Sequence, residues 1–137
     1  MSTIFAKIIK KEIPGFILYE DELVMAFLDI SQATKGHTLV VTKNEYKILQ
    51  EVPEDVFQHL FSVVHKISKA LIRTFDCPGI NLLNNNGVYA GQSVFHYHIH
   101  LLPRFSTEEI KITFTDNSSH LNQKDYEKIQ KNILENL

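Results

Sequence analysis

The spacing of apolar residues changes several times along the chain, and each change marks an element. In STIFAKIIKKEIP, Ile4, Phe5, Ile8 and Ile9 recur at helical spacing. Ser2 stands at the N-cap position and Pro14-Gly15 ends the segment. FILYE and LVMAFLD are rich in strand formers, and Glu20-Asp21-Glu22 between them predicts a hairpin. GHTLVVT makes a third strand. VPEDVFQHLFSVVHKISKALIRTF is the longest helix, with Pro53 in its first turn and Glu54 and Asp55 at its positive end. Its core-facing stripe is Phe57, Leu60, Phe61, Val64, Ile67, Leu71 and Phe75, and Pro78-Gly79 terminates it. INLLN and VFHYHIHLL are the fourth and fifth strands, joined by NNGVYAGQS, and a last helix spans about Asn122 to Asn136. The expected class is α+β: a five-stranded antiparallel sheet with a short N-terminal helix and a long helix on one face. No linker divides the chain, so residues 1–137 are expected to form one domain, with a core over about 2–105 and an extension over about 106–137.

Composition narrows the function classes. Hydrophobic residues at 44% and charged residues at 22% are ordinary for a globular chain. A formal net charge of -2 provides no basic field for a phosphate backbone, which disfavours general nucleic-acid binding. An anionic ligand must be caught locally, by backbone amides and a few side chains. The single cysteine, Cys77, excludes an internal disulfide and a multi-cysteine zinc site. No apolar run reaches membrane-spanning length and residues 1–20 lack a signal-peptide pattern, so no membrane partner is expected and the cytoplasm is the expected location.

The candidate chemistry lies in QSVFHYHIHLLPR, where His96, His98 and His100 occupy alternate positions. A helix would rotate His98 about 200° from His96, whereas a strand keeps all three on one face. Three readings compete. The row can be ordinary half-buried histidines, although each then needs partners and clustered imidazolium charges repel. It can hold a metal. The outer pair stands about 13 Å apart at the backbone, too far to share one ion, but two histidines with Asp29 or His37 could. Or the row can perform nucleophilic catalysis at phosphorus, because a neutral imidazole titrates near working pH and forms a hydrolysable phosphohistidine. NNNGVYAGQS precedes it directly. Gly87 and Gly91 allow close backbone approach, amides around Gly91, Gln92 and Ser93 can form an anion nest, and Ser93 and Asn85 add neutral donors. Such Asn/Gly clusters also make plain turns.

HYHIHLL resembles the signature of the histidine triad family, alternating histidine with apolar residues, at every position. STIFAKIIKKEIP, YEDELVMAFLDISQATKGHTLVV and NNNGVYAGQSVFHYHIHLLPR together resemble its nucleotide-binding branch over most of residues 2–104. The resemblance implies the fold of that family, a homodimer, and an enzyme acting on the α-phosphate of nucleotides such as AMP phosphoramidates. It implies His98 as nucleophile, His100 as the residue orienting the phosphate, and His96 and His37 as supports of the proton network. Asn85, Gly91, Gln92 and Ser93 match the phosphate loop, with Ser93 near the departing group. Asp29 matches the acceptor of ribose hydroxyls, and Ile4, Phe5, Ile8, Phe27 and Ile30 match the apolar base pocket. Phe27 and Asp29 also share a strand face by parity, while Ile4 and Ile8 suit core packing and ligand contact equally. Some bacterial relatives bind a structural zinc through two cysteines near the N-terminus. STIFAKI has none, so no metal and no cofactor are expected. HLLPR, with Pro103 and Arg104, also resembles the dinucleoside polyphosphate hydrolase branch, and a nucleotide-responsive binding protein is the alternative of another class.

His59 and His65 are expected at the surface of the long helix, His120 in a loop, Cys77 in a structural role, and Tyr89 at the rim of a ligand site. A strand and helix after residue 105 would find a partner surface useful.

Overall fold

The computed structural model describes residues 2–137. Helix α1 (Ile4–Ile9) is followed by strands β1 (Ile17–Glu20), β2 (Val24–Leu28) and β3 (Thr38–Thr42), helix α2 (Glu54–Phe75), strands β4 (Gly79–Leu83) and β5 (His98–Arg104), and helix α3 (Gln123–Leu134). The five strands form one sheet in the order β1-β2-β3-β5-β4, and every neighbouring pair is antiparallel.

The central strands are buried on both faces. On one, α2 lays Val56, Leu60, Val63, Val64, Ile67 and Leu71 against Val24, Ala26, Val40, Tyr97, Ile99 and Leu101. Phe57, Phe61 and Phe75 pack only at the margin. Each fully buried aliphatic side chain contributes about 1.5–3 kcal/mol. On the other face Met25, Phe27, Leu39 and Val41 meet Phe5 of α1, flanked by Ile8, Ile9 and Val94. The two helices thus cover opposite faces, and α1, only 6 residues long, leaves part of its face open.

Local capping differs from expectation at α1. Thr3, not Ser2, is the N-cap, with its hydroxyl accepting from the Ala6 amide at 3.1 Å. The helix ends at Ile9, well before Pro14-Gly15. Lys11 turns into the left-handed region (φ 63°), so its amide donates to Ile8 O at 3.0 Å and the Glu12 amide to Lys7 O at 2.9 Å. That paired arrangement satisfies the last carbonyls and stops the helix without a glycine.

The histidine row is also interrupted. β5 starts at His98, so His96 lies before the ladder rather than in it. The Tyr97 amide leaves the sheet direction to donate to Tyr46 O, which bends the chain and buries His96 completely.

His59 is not a simple surface residue. Its Nε2–H donates to Asp21 Oδ2 at 2.6 Å, and the Tyr19 hydroxyl donates to the same oxygen at 2.7 Å. Burial alone would raise the Asp21 carboxyl, but these bonds and the Val24 and Leu23 amides outweigh it and hold the group far below the carboxylate range. The cluster ties α2 to the β1–β2 turn. His65 is exposed.

After β5 the chain runs irregularly, with a 3-10 turn over Ser118–His120, and no strand forms after residue 105 among the described residues. Asn122 and Asp125 cap α3 reciprocally, yet α3 buries none of its side chains.

Candidate active site

Register builds the site. Phe27 pairs with Leu39, Leu39 with His100, and Val41 with His98, so these side chains share one face across three strands. α1 stands beside them, and the gap it leaves is a cleft of about 290 Å³. The cleft brings together Ile4, Phe5, Ile8, Phe27, Asp29, Ile30, Ser93, His98 and His100. Ile4 and Ile30 are exposed at its rim, whereas Phe5 and Phe27 are core residues that also form its wall. His37, His96, Asn85, Gly91 and Gln92 do not line it. Tyr89 is fully exposed and does not line it either.

Proton positions follow from the partners, because a carbonyl oxygen only accepts. His98 Nδ1 lies 2.6 Å from His96 O, so Nδ1 carries the hydrogen and Nε2 carries the lone pair. His96 Nε2–H donates to Thr42 O, which leaves Nδ1 to accept from the Thr3 hydroxyl at 3.2 Å. The Ala33 amide donates to His37 Nδ1 at 3.2 Å, so the hydrogen of His37 sits on Nε2 and is donated to His100 Nδ1 at 2.9 Å. His100 therefore carries its hydrogen on Nε2. Of the two histidines in the cleft, one offers a lone pair and the other an N–H.

The electrostatics reinforce this. Burial pushes all four imidazoles below their ordinary range. His100 falls to about 4, through burial and then through His98 and His37 beside it. For His98, burial outweighs the support of the His96 carbonyl. Asp29 stays ionised. Burial raises it, but the Ser31 hydroxyl and amide, donating to Oδ1 at 2.6 and 2.8 Å, outweigh that and lower it. Its Oδ2 is 3.6 Å from His37 Nε2.

The loop before the row is held from within. Gly87 and Gly91 both have positive φ (98° and 88°), which a side chain would strain. Gln92 is buried. Its Oε1 accepts from the Gly87 amide at 2.8 Å, and its Nε2 donates to Lys47 O and Val94 O. Its side chain therefore shapes the loop, and its amide does too, donating to Gly87 O at 3.1 Å while the Gly91 amide donates to Val88 O at 3.0 Å. Asn85 Nδ2 comes within 3.8 Å of where a Cβ on Gly91 would stand.

Sequence reasoning missed several supports. Asn84 donates to His98 O at 3.1 Å and accepts from the Tyr97 hydroxyl at 3.0 Å. Gln32 bonds Asp29 O, His37 O and the Gly36 amide. Thr3 reaches His96 across 93 positions. The Asn84 and Thr3 contacts join distant parts of the chain and have no local signal, and those of Gln32, though only three to five residues away, depend on the shape of the turn.

Asp29, His37 and His100 have ligand atoms within 4.8 Å of one another. Two nitrogens on one tetrahedral zinc would stand roughly 3.3 Å apart. His37 and His100 stand at 2.9 Å, a hydrogen-bond distance. Arg104 points away from the cleft's chemistry, bonding Asn81 Oδ1, Glu109 and the carbonyls of Ser106 and Ile110.

Comparison with known proteins identifies the family. The HIT domain model matches residues 10–107. The protein Hit of Bacillus subtilis is 52% identical over 102 residues, covering 74% of this chain and 70% of that one. An adenosine 5'-monophosphoramidase of Candida albicans is 40% identical over 107 residues, 75% of this chain and 70% of its own. An adenylylsulfatase of Arabidopsis thaliana is 42% identical over 101 residues, 74% of this chain and 51% of its own. Crystal structures of HIT family proteins from Bacillus subtilis and Bacillus anthracis, each 41% identical, superpose with TM-scores of 0.94 and 0.93. They cover 100% and 99% of this chain and 98% and 97% of theirs. With its α+β sheet, its three alternating histidines and a family match over most of its length, the chain belongs to the HIT domain family.

Proposed function

We propose that this protein is a nucleotide hydrolase that cleaves the α-phosphate bond of purine nucleoside phosphoramidates of the AMP type, through a nucleotidyl-histidine on His98. The observation that carries the reading is the His98 Nδ1–H bond to His96 O, which leaves Nε2 unprotonated on the cleft side. The apolar wall of Ile4, Phe5, Ile8, Phe27 and Ile30 takes the base, and Asp29 Oδ2, spared by Ser31, accepts from ribose hydroxyls. His100 Nε2–H, the Ser93 hydroxyl and the Asn85 carboxamide receive the phosphoryl oxygens, while the Gly91 and Gln92 amides, bonded to Val88 O and Gly87 O, hold the shape of the loop that carries Ser93. His96 and His37 act behind them, as carbonyl acceptor and as donor to His100.

In the first step the Nε2 lone pair attacks phosphorus and the P–N bond to the amine breaks with its electron pair. The amine takes a proton from water at the open Ser93 side. The imidazole becomes cationic, and its Nδ1–H holds that charge against the His96 carbonyl. In the second step water attacks phosphorus and gives its proton to the hydroxide left by the first step, the N–P bond breaks with its electron pair returning to Nε2, and the nucleoside monophosphate leaves with His98 neutral again. Two relatives are named for release of sulfate and of an amine from an adenylyl group. That supports a site holding the nucleotide firmly and the leaving group loosely. Rapid-quench kinetics with an AMP phosphoramidate tests the reading. A burst of amine ahead of AMP supports it, and binding without turnover makes the protein a nucleotide sensor instead. Arg104, bonded at the root of the C-terminal segment, lends no contact to a dinucleoside polyphosphate reading.

A further inference from the structure

The run Asn84-Asn85-Asn86 divides its side chains between two directions. The β4–β5 ladder ends at the pair Leu83 and His100. Continued by two residues, the antiparallel register would set Asn85 opposite His98. The Tyr97 carbonyl faces β3, accepting from the Thr42 amide at 3.3 Å, so the next carbonyl, that of His98, faces the β4 side. In a continued ladder the Asn85 amide would donate to it. Here the Asn84 carboxamide does so instead, from Nδ2 at 3.1 Å.

The orientation of that carboxamide is fixed at both ends. Asn84 Oδ1 accepts from the Tyr97 hydroxyl and from Asn86 Nδ2, both at 3.0 Å. Tyr97 is buried, and burial pushes its phenol up to about 12, so the hydroxyl keeps its proton and donates. Asn86 Oδ1 in turn accepts from the Leu49 amide at 2.7 Å, which ties the group to the segment before α2. The His98 carbonyl can only accept and the two groups at Oδ1 donate, so a flipped amide would lose all three bonds. Asn85 takes no part in this frame. Its Nδ2 lies on the Gly91 side, 3.8 Å from where a Cβ on that glycine would stand.

We infer that Asn84 is a positioning residue: it replaces one rung of the ladder, so that Asn85 can turn out of the sheet and meet a ligand phosphate. This role rests on the nucleotide-binding part of the proposed function and needs no turnover. His98 is buried, so without Asn84 its carbonyl is left unpaired until the Asn85 amide moves in to bond it. That movement closes the ladder by one more pair and draws Asn85 away from the loop.

Calorimetry on the full chain with AMP and with adenosine tests the role, because adenosine lacks the phosphate. Asn84→Leu is similar in size, carries no charge and removes the whole carboxamide frame. Wild-type protein is expected to bind AMP more tightly than adenosine. N84L and N85A each weaken AMP by about 10-fold and leave adenosine unchanged. The double variant N84L/N85A is no weaker than the worse single one, because both changes remove the same contact. A merely structural Asn84 would weaken both ligands alike.

Unchanged AMP binding in N84L, equal losses for AMP and adenosine, additive losses in the double variant, or a wild type that binds AMP no better than adenosine each overturns the inference. If N84L does not fold, Y97F decides. It removes one donor to Oδ1 and is expected to weaken AMP alone by about 3-fold, and unchanged AMP binding overturns the role. The expected binding pattern without hydrolysis of an AMP phosphoramidate removes the hydrolase reading and leaves Asn84 its role.

Discussion

The Nδ1 of His98 lies 2.6 Å from the carbonyl oxygen of His96, and this contact fixes which nitrogen of His98 can attack. A backbone carbonyl cannot lose its acceptor role, so no side-chain substitution at 96 removes the lock directly. Ring and backbone contributions of residue 96 can therefore be separated by mutation.

Thr3→Val tests the ring. It removes the N-cap bond to Ala6 and leaves the buried Nδ1 of His96 without a donor. Together these losses amount to about 2–4 kcal/mol of stability. Thermal unfolding should show a melting temperature lower by many degrees, with turnover at 20 °C nearly retained. An unchanged melting temperature contradicts the bond.

His37→Leu tests the second lock. Without the Nε2–H donor, His100 is free to put its hydrogen on Nδ1 and present a lone pair to the phosphate. The expected loss in kcat/KM is about 10- to 100-fold, the effect of a misoriented supporting histidine. His37→Gln, which can still donate, should recover part of it. Equal activity in the Leu and Gln variants would remove the proposed role.

The pH profile follows from burial. His98 must be neutral to attack, and burial lowers its pKa below the ordinary 6.5. The acid limb of kcat/KM is therefore expected below pH 6.5, lower than for the unperturbed imidazole assumed from sequence. A limb at or above 6.5 would show that His98 is not held neutral by burial.

Stability should follow the same histidines. Their folded pKa values lie below the unfolded value of 6.5, so the unfolded chain binds more protons in between. This contribution is fully present above pH 6.5 and is lost as pH falls, continuing for His100 down to about 4. Asp29 and Asp21 lose theirs only below their ordinary 3.8. The melting temperature should fall steadily from pH 6.5 toward pH 4.5. A flat profile over that interval contradicts buried neutral imidazoles.

How far the sequence reaches depends on the range of the interaction. Alternation places His98 with His100 on one face of their strand and Phe27 with Asp29 on one face of theirs, because parity along a strand is a local property, but only the register through Leu39 brings the two pairs together. The period of α2 identifies its buried stripe but misses Val56 and Val63 and puts Phe57, Phe61 and Phe75 too deep. The bend that takes His96 out of the ladder depends on Tyr46, and the locks on His98, His100 and Gly87 use backbone groups or partners far along the chain. None of these has a sequence period. Gln92 illustrates the difference: beside Ser93 it reads as a ligand contact, but burial turns its amide inward to hold the loop.

The most direct measurement is mass spectrometry of peptides from enzyme quenched in acid-free conditions during turnover of an AMP phosphoramidate. The predicted result is one nucleotidyl group, confined to His98, appearing before AMP and absent in His98→Ala, whose kcat falls about 10,000-fold or more. An adduct on His96 or His100, or steady turnover by His98→Ala, contradicts the account.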